Sequence, residues 1–360
     1  MRKKLIPILR FKEFSGPWTF VKAEQLFDSR RKKSKEGKLP FYSVTLENGI
    51  ILRNSLEKKI KRNSKENLVA EKNDIVYNMM RMWQGAMGVA NSPGLVSPAY
   101  VVLQPKEGVL ASFYYKLLKT NKYLHILKAY SYGLTEDRLR LYYKDFARIN
   151  LPHTSFAEQQ KIVSFLNTID LKIKHLDEKI ELLKQYKKGV MKKIFDQKIR
   201  FRNVNGENFP AWTETTFDEC LEYIQPGKYL VASTDYSDDY ETPVLTAGKS
   251  FILGFTNEKK GIFNEGLPII IFDDFMTSSK YVDFPFKAKS SAMKILVAKG
   301  NVDIKFIYEL LQTIKYEPGN HGRHWISTFA KMKIQVPGVS EQTKISEFSK
   351  QLDRRVSLVE

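Results

Sequence analysis

The chain has 360 residues, 42% of them apolar and 12% aromatic, with 59 Lys and Arg against 40 Asp and Glu, a formal net charge of +19. That length suits about two domains with a core each, and the aromatic content excludes a disordered basic tail. Cys220 is the only cysteine, which excludes a disulfide framework, a Cys-rich zinc site and a CxxC redox motif within the chain and fits a reducing, cytoplasmic compartment. A positive excess of this size favours a polyanionic partner, although basic ribosomal and membrane-surface proteins share the signature. Met1 to Arg10 holds an apolar patch that Pro7 interrupts and Arg10 ends. It reads as neither a signal peptide nor a membrane span.

In chain order, Arg30, Arg31, Lys32 and Lys33, with Lys35 and Lys38, form a basic loop before the first strand. Such runs are usually solvated; here they are candidates for phosphate contact. Pro40–Thr45 and Gly49–Leu52 predict two short strands turning through Glu47-Asn48-Gly49. Asp74–Met79 and Ser97–Leu103 predict two more, and Phe113 to Leu127 predicts one helix with Phe113, Leu117, Leu118 and Leu124 on one side. Just past the third strand come Arg81 and Gln84, each with a side chain that can make two hydrogen bonds to a base edge. Trp83 between them has a plain core reading. Tyr132 beside Gly133, followed by Arg138 and Arg140, is a further candidate cluster.

From Ser155 to Phe195 the pattern predicts one helix of about 40 residues, roughly 60 Å long. Ile162, Ile169, Leu176, Leu183 and Val190 recur every seven residues; Leu166, Ile173, Ile180 and Ile194 form a second row offset by four, broken only by Lys187. Two such rows make a coiled-coil seam that needs a partner helix. An intermolecular dimer interface is the alternative. Between Leu171 and Arg202 stand eleven Lys/Arg against four acids. Such a face neutralises phosphates without reading sequence, or simply meets water or an acidic subunit.

Asn203–Asn208 is turn chemistry and opens a second unit. Pro243–Thr246, Ser250–Phe255, Leu267–Phe272 and Ala292–Val297 predict strands, and Phe306–Ile314 a helix, in the order of the first unit. Thr246-Ala247-Gly248-Lys249-Ser250 imitates a phosphate loop, but Pro243 stands where the motif needs glycine and a strand follows. Asp273 and Asp274 leave a buried strand toward Thr277, Ser278 and Lys280; no third metal ligand is suggested nearby. Asp274, Thr277, Ser278 and Lys280 are therefore candidates for DNA contact. His321 and Arg323, on a Gly-hinged loop, are others, as are Lys228, Tyr229 and Lys249.

The chain repeats itself. Glu158-Gln159-Gln160-Lys161-Ile162 is answered by Glu341-Gln342-Thr343-Lys344-Ile345, each after a proline, Pro152 or Pro337. Phe165, Ile169, Asp170 and Ile173 match Phe348, Leu352, Asp353 and Val356, whereas Leu166 becomes Ser349. Leu9-Arg10-Phe11 with Trp18 resembles Ile199-Arg200-Phe201 with Trp212. A self-repeat outranks other architectural signals. It predicts an α/β (α+β) chain with units at 1–151 and 199–337, a long-helix spacer at 152–198, and a second spacer helix at 338–360. That second helix ends about 18 residues before the position equivalent to Phe195.

The tandem Glu-Gln-x-Lys-Ile helix entries and the Leu/Ile-Arg-Phe…Trp lead-ins resemble a type I restriction–modification specificity subunit over nearly the whole chain. The resemblance implies two target-recognition domains, each reading half of a split DNA sequence, with two antiparallel helices as a ruler. It implies DNA adenine methyltransferase subunits and restriction subunits as partners, with S-adenosylmethionine, ATP and Mg bound there and no cofactor in this chain. The sequence has no Asn/Asp-Pro-Pro-aromatic methyltransferase tetrapeptide, so the expectation is binding without catalysis. The alternatives are a stand-alone nuclease using Asp273, Asp274 and Lys280, and a non-catalytic coiled-coil adaptor.

Overall fold

β-branched and aromatic residues in short runs bounded by Gly, Asn and Ser set the strands of each unit. The computed structural model describes residues 4–34, 39–53, 66–248, 250–318 and 322–360. The chain divides into two compact units, 1–172 and 173–360. In the first, the strands used below are β1 (Trp18–Lys22), β2 (Phe27–Ser29), β3 (Tyr42–Val44), β4 (Ile50–Leu52), β5 (Ile75–Asn78), β6 (Met87–Val89), β7 (Tyr100–Pro105) and β8 (Asn150–His153). The central sheet runs β2-β7-β5-β6, with every neighbouring pair antiparallel. β1 pairs with β8, and β3 with β4 as a hairpin.

The sequence between β7 and β8 breaks into α1 (Ala111–Leu118) and α2 (Asn121–Ala129) rather than one helix over 113–127. Thr120 explains the break. Its backbone is extended at φ −70°, ψ 147°, and its hydroxyl donates to the Leu117 carbonyl at 2.7 Å, satisfying an acceptor that a continuing helix would use. The core holds Ile75, Tyr77, Leu103, Phe113, Tyr114 and Phe146, with Phe27 edge-on to Tyr114 at 5.3 Å. Each fully buried side chain of this size stabilises by about 1.5–3 kcal/mol.

α3 (Phe156–Phe195) is one unbroken helix of 40 residues. The second unit follows with β9 (Thr213–Thr216), β10 (Leu221–Ile224), β11 (Thr242–Leu245), β12 (Ile252–Thr256), β13 (Ile269–Asp273), β14 (Ser279–Val282), β15 (Met293–Ala298), α4 (Ile304–Thr313), β16 (Lys333–Val336) and α5 (Val339–Ser357). Its central sheet runs β10-β15-β13-β14, strand for strand the order of the first unit. β9 pairs with β16, and β11 with β12, as their counterparts do. The first unit adds a two-stranded pair, Leu68–Ala70 with Gly94–Val96.

The repeated Glu-Gln motif has a structural cause. Glu158 is 1% exposed and accepts from Arg10 Nε and Nη2, each at 2.7 Å. Glu341, also 1% exposed, accepts from Arg200 Nε at 3.1 Å and Nη2 at 2.6 Å, and from Trp212 Nε1 at 3.1 Å. The next residue locks the helix start. Gln159 Oε1 accepts from Leu110 N at 2.9 Å while its Nε2 donates to Gly108 O and Thr154 O. Gln342 accepts from Asp303 N at 2.9 Å and donates to Pro337 O at 2.8 Å. Phe11 meets Phe165, and Phe201 meets Phe348, both with centroids 5.6 Å apart. Each lead-in is thus pinned to its own helix by a charge pair and a ring pair.

The seam is packed only toward its ends. Ile162 lies against the first core, and Val163, outside both predicted rows, is buried there. Val190 packs on the second core, where Met191 and Ile194 are buried. Leu166, Ile180 and Leu183 are half-buried. Ile169, Ile173 and Leu176 are 39%, 53% and 37% exposed, so the continuous helix-to-helix seam expected from the heptads is not closed at these three. In the second unit α5 runs antiparallel to the end of α3. Lys184 pairs with Glu360 and Lys187 with Asp353.

Lys187, the residue that breaks the heptad row, is the centre of that contact. Its ammonium reaches Glu309 of α4 at 2.8 Å and Asp353 of α5. Lys305 pairs with the same two acids at 3.0 and 2.7 Å, and Ser349 donates to Glu309 at 2.6 Å. A charged seam residue held this way fixes register more than it adds stability. Lys187→Ala leaves two acids sharing one lysine, and should cost the second unit about 1–3 kcal/mol in urea unfolding. A change under about 0.5 kcal/mol would contradict that role, being the range of ordinary surface substitutions.

Candidate nucleic-acid interface

In each unit a hairpin turn meets the loop that leaves a central strand, and in the first unit the two enclose a cleft. In the first unit β3 leads into Thr45, whose amide donates to Gly49 O at 2.8 Å and whose Oγ1 accepts from Asn48 N at 3.1 Å. Gly49 sits at φ 60°, where a side chain is strained. The hairpin lies against the sheet edge at Gly88; a Cβ there would come 2.6 Å from Ile50 N. Facing the turn is the loop leaving β5. Asn78 Oδ1 accepts from Met80 N at 3.0 Å, an Asx turn, and Arg81 follows with its side chain exposed. Thr45, Glu47, Asn48, Asn78 and Arg81, with the apolar Val44, Leu46 and Ala86, line the resulting cleft of about 360 Å³.

The second unit rebuilds this arrangement from other residues. Thr246 N donates to Phe251 O at 2.9 Å and its Oγ1 accepts from Gly248 N at 3.2 Å, so the phosphate-loop look-alike is a hairpin turn. The loop leaving β13 opens on Asp273, whose Oδ1 accepts from Phe275 N at 2.9 Å and Met276 N at 3.0 Å. Ser278 Oγ lies 3.5 Å from Ala247 O, placing loop beside turn. Polar side chains on a braced turn and loop can present donors and acceptors to base edges.

Of the predicted contact residues, Arg81 lines the first cleft. Arg81, Gln84, Tyr132 and Arg138 are exposed in the first unit, and Ser278, Lys280, Lys228 and Arg323 in the second. Trp83 is half-buried, donating to Met80 O at 3.2 Å beneath Lys128, whose ammonium is 5.0 Å from the ring. Arg31, Lys32 and Lys33 are exposed, the lysines paired with Glu71 and Glu66. Lys38, Lys249 and His321 lie outside the described residues.

Other assignments change. Asp274 is 1% exposed: it pairs with Lys294 at 3.3 Å and accepts from Trp325 N at 2.8 Å, so it braces the interior and does not face a base. A strand-exit carboxylate beside hydroxyls looks like surface in sequence, but its cation lies on another strand. Arg30 is held by buried Asp74, with Nε at 2.6 Å. Tyr229 is half-buried, its ring 4.9 Å from Phe263. Thr277, at φ 59°, is half-buried and serves the turn through its amide. Thr45, Asn48 and Asn78, which line the first cleft, are not among the contact candidates read from the sequence. The signal available was the Thr closing each hairpin strand, at 45 and at 246.

Two heads of one topology thus stand on one chain of net charge +19. A sequence model described as the type I restriction modification DNA specificity domain matches residues 16–185 and 210–360, and the chain belongs to that family. It is 50% identical over 124 residues to the type I restriction enzyme EcoR124I/EcoR124II specificity subunit of Escherichia coli, covering 33% of this chain and 31% of that one. Over 211 residues it is 28% identical to the type I restriction enzyme MjaVIII specificity subunit of Methanocaldococcus jannaschii, covering 54% and 45%. The matched stretches thus span less than half of these relatives. The fold is similar to the crystal structure of a type I restriction–modification system S subunit from M. genitalium, with TM-score 0.63 at 16% identity, covering 99% of this chain and 94% of that one. No helix among the described residues is long and apolar enough to cross a membrane.

Proposed function

We propose that this chain is the DNA-recognition subunit of a type I restriction–modification complex. Each head reads one half of a split duplex target, and the 40-residue helix α3 sets the gap between half-sites. The chain itself catalyses nothing in this reading. It directs adenine methylation by methyltransferase subunits and cleavage by restriction subunits, which bind S-adenosylmethionine, ATP and Mg. The observation that carries the reading is the duplicated head, a hairpin turn beside a strand-exit loop in each, with the family model matching both halves of the chain. The basic residues of α3 suit phosphate contact that positions without reading sequence.

The stand-alone nuclease finds no support in its best residues. Asp274 is engaged by Lys294, and Asp273 holds a turn. Methylation mapping of a cell that expresses the chain with its methyltransferase partner tests the proposal. The expected result is methyladenine at one bipartite motif, absent when the chain is withheld. Methylation that does not depend on the chain would refute it.

A further inference from the structure

We propose that Met80 in the first head, and Phe275 with Met276 in the second, are wedge side chains that enter the base stack of bound duplex. The inference rests on the DNA-recognition reading and goes beyond it. Met80 is 40% exposed, Phe275 36% and Met276 70%, each in the loop that leaves the same strand of the central sheet. The loops are not slack. Asn78 and Asp273, the last strand residues, each cap the turn through a side-chain oxygen. The next residue is tied on both sides. Met79 N donates to Ala99 O at 3.3 Å and its carbonyl accepts from Leu141 N at 2.9 Å. Asp274 N donates to Ala292 O at 3.3 Å and its carbonyl accepts from His324 N at 2.9 Å.

This bonding makes Met80 and Phe275 equivalent although the residues differ. It also makes Arg140 equivalent to Arg323, since each immediately precedes the amide that ties the loop, and both are exposed. Each head therefore holds a large apolar side chain outward on a braced turn, with an arginine on the adjoining segment and the hairpin turn close by. Water gives nothing for this exposure. A duplex does: an apolar wedge between base pairs is offset by stacking contact, and a neighbouring cation holds the phosphates of the opened step. In the proposed function an adenine must also leave the stack to be methylated, and an apolar side chain can fill the space left.

The test uses the full chain and two duplexes of one mixed sequence, one intact and one with a single central abasic site, at fixed low salt. A wedge pays less unstacking at the abasic site, so the native chain should bind that duplex about tenfold more tightly. In the triple variant Met80→Ala/Phe275→Ala/Met276→Ala the ratio should fall to near one while binding to intact duplex persists. Met80→Leu/Phe275→Leu should keep the preference, and all variants should melt with the native chain. A ratio near one for the native chain, or one unchanged in the triple variant, overturns the wedge and leaves these side chains for contact with protein. Failure of the native chain to bind either duplex overturns the DNA reading itself.

Discussion

Glu341→Ala is expected to destabilise the second unit by about 3–5 kcal/mol, the largest effect of any single substitution considered. The carboxylate is 1% exposed and accepts from Arg200 and Trp212. Its loss leaves a guanidinium that is 24% exposed and a buried indole N–H without their acceptor, and an uncompensated group costs its desolvation. It also frees the Ile199–Trp212 lead-in from the start of α5. Urea unfolding of the full chain should show the second unit melting first, while Glu341→Gln, which keeps one oxygen acceptor, should recover part of the loss. A change below about 1 kcal/mol would show that the clamp is solvent-satisfied.

The first unit has the same clamp and adds a pH dependence. Burial pushes the Glu158 carboxyl up, but hydrogen bonds from Arg10 and Thr154 and the Arg10 charge outweigh it, and the group sits below its ordinary 4.5. A folded-state carboxyl depressed in this way contributes fully above 4.5 and loses its contribution as pH falls through the lowered value. Asp353 titrates in the same direction, since its bonds from Lys187 and Lys305 outweigh burial. The Glu158 contribution to the first unit should therefore be lost on acidification below about 4.5, and the Asp353 contribution to the second only below about 3.8.

Arg81→Ala is expected to erase preference at one half-site, worth about 1–3 kcal/mol, or roughly fivefold to 150-fold, against the wrong base. Arg81 is exposed at the rim of the first cleft beside Asn48 and Asn78, with a guanidinium whose two donors match a guanine edge. The other half-site should keep its preference. Lysine-to-alanine changes at Lys172, Lys179 and Lys188, exposed along α3, should instead weaken all sequences alike and flatten the salt dependence. If both kinds of substitution lowered affinity uniformly, the division between reading and positioning residues would be wrong.

The repeat was legible because its residues are clamps. Glu158 with Arg10 and Glu341 with Arg200 need fixed identities, so they survive as a visible motif. Strands 75–78 and 269–273 were legible as apolar runs that are buried on both faces. The paired turns were not, because their equivalence lies in backbone bonds: Thr45 closes on Gly49 and Thr246 on Phe251, across turns of different length and composition. Asp274 was misjudged because its partner Lys294 comes from another strand, and burial is a property of the sheet rather than of the local sequence. Heptad spacing correctly gave a 40-residue helix but says nothing about coverage, and Ile169, Ile173 and Leu176 stay exposed.

Selection from a randomised duplex pool by the chain with its methyltransferase partner, followed by sequencing, tests the two-head account most directly. Two short blocks of fixed sequence separated by an unread gap of constant length are predicted, with Arg81→Ala blurring one block only. A single continuous site, or no enrichment at all, would contradict it.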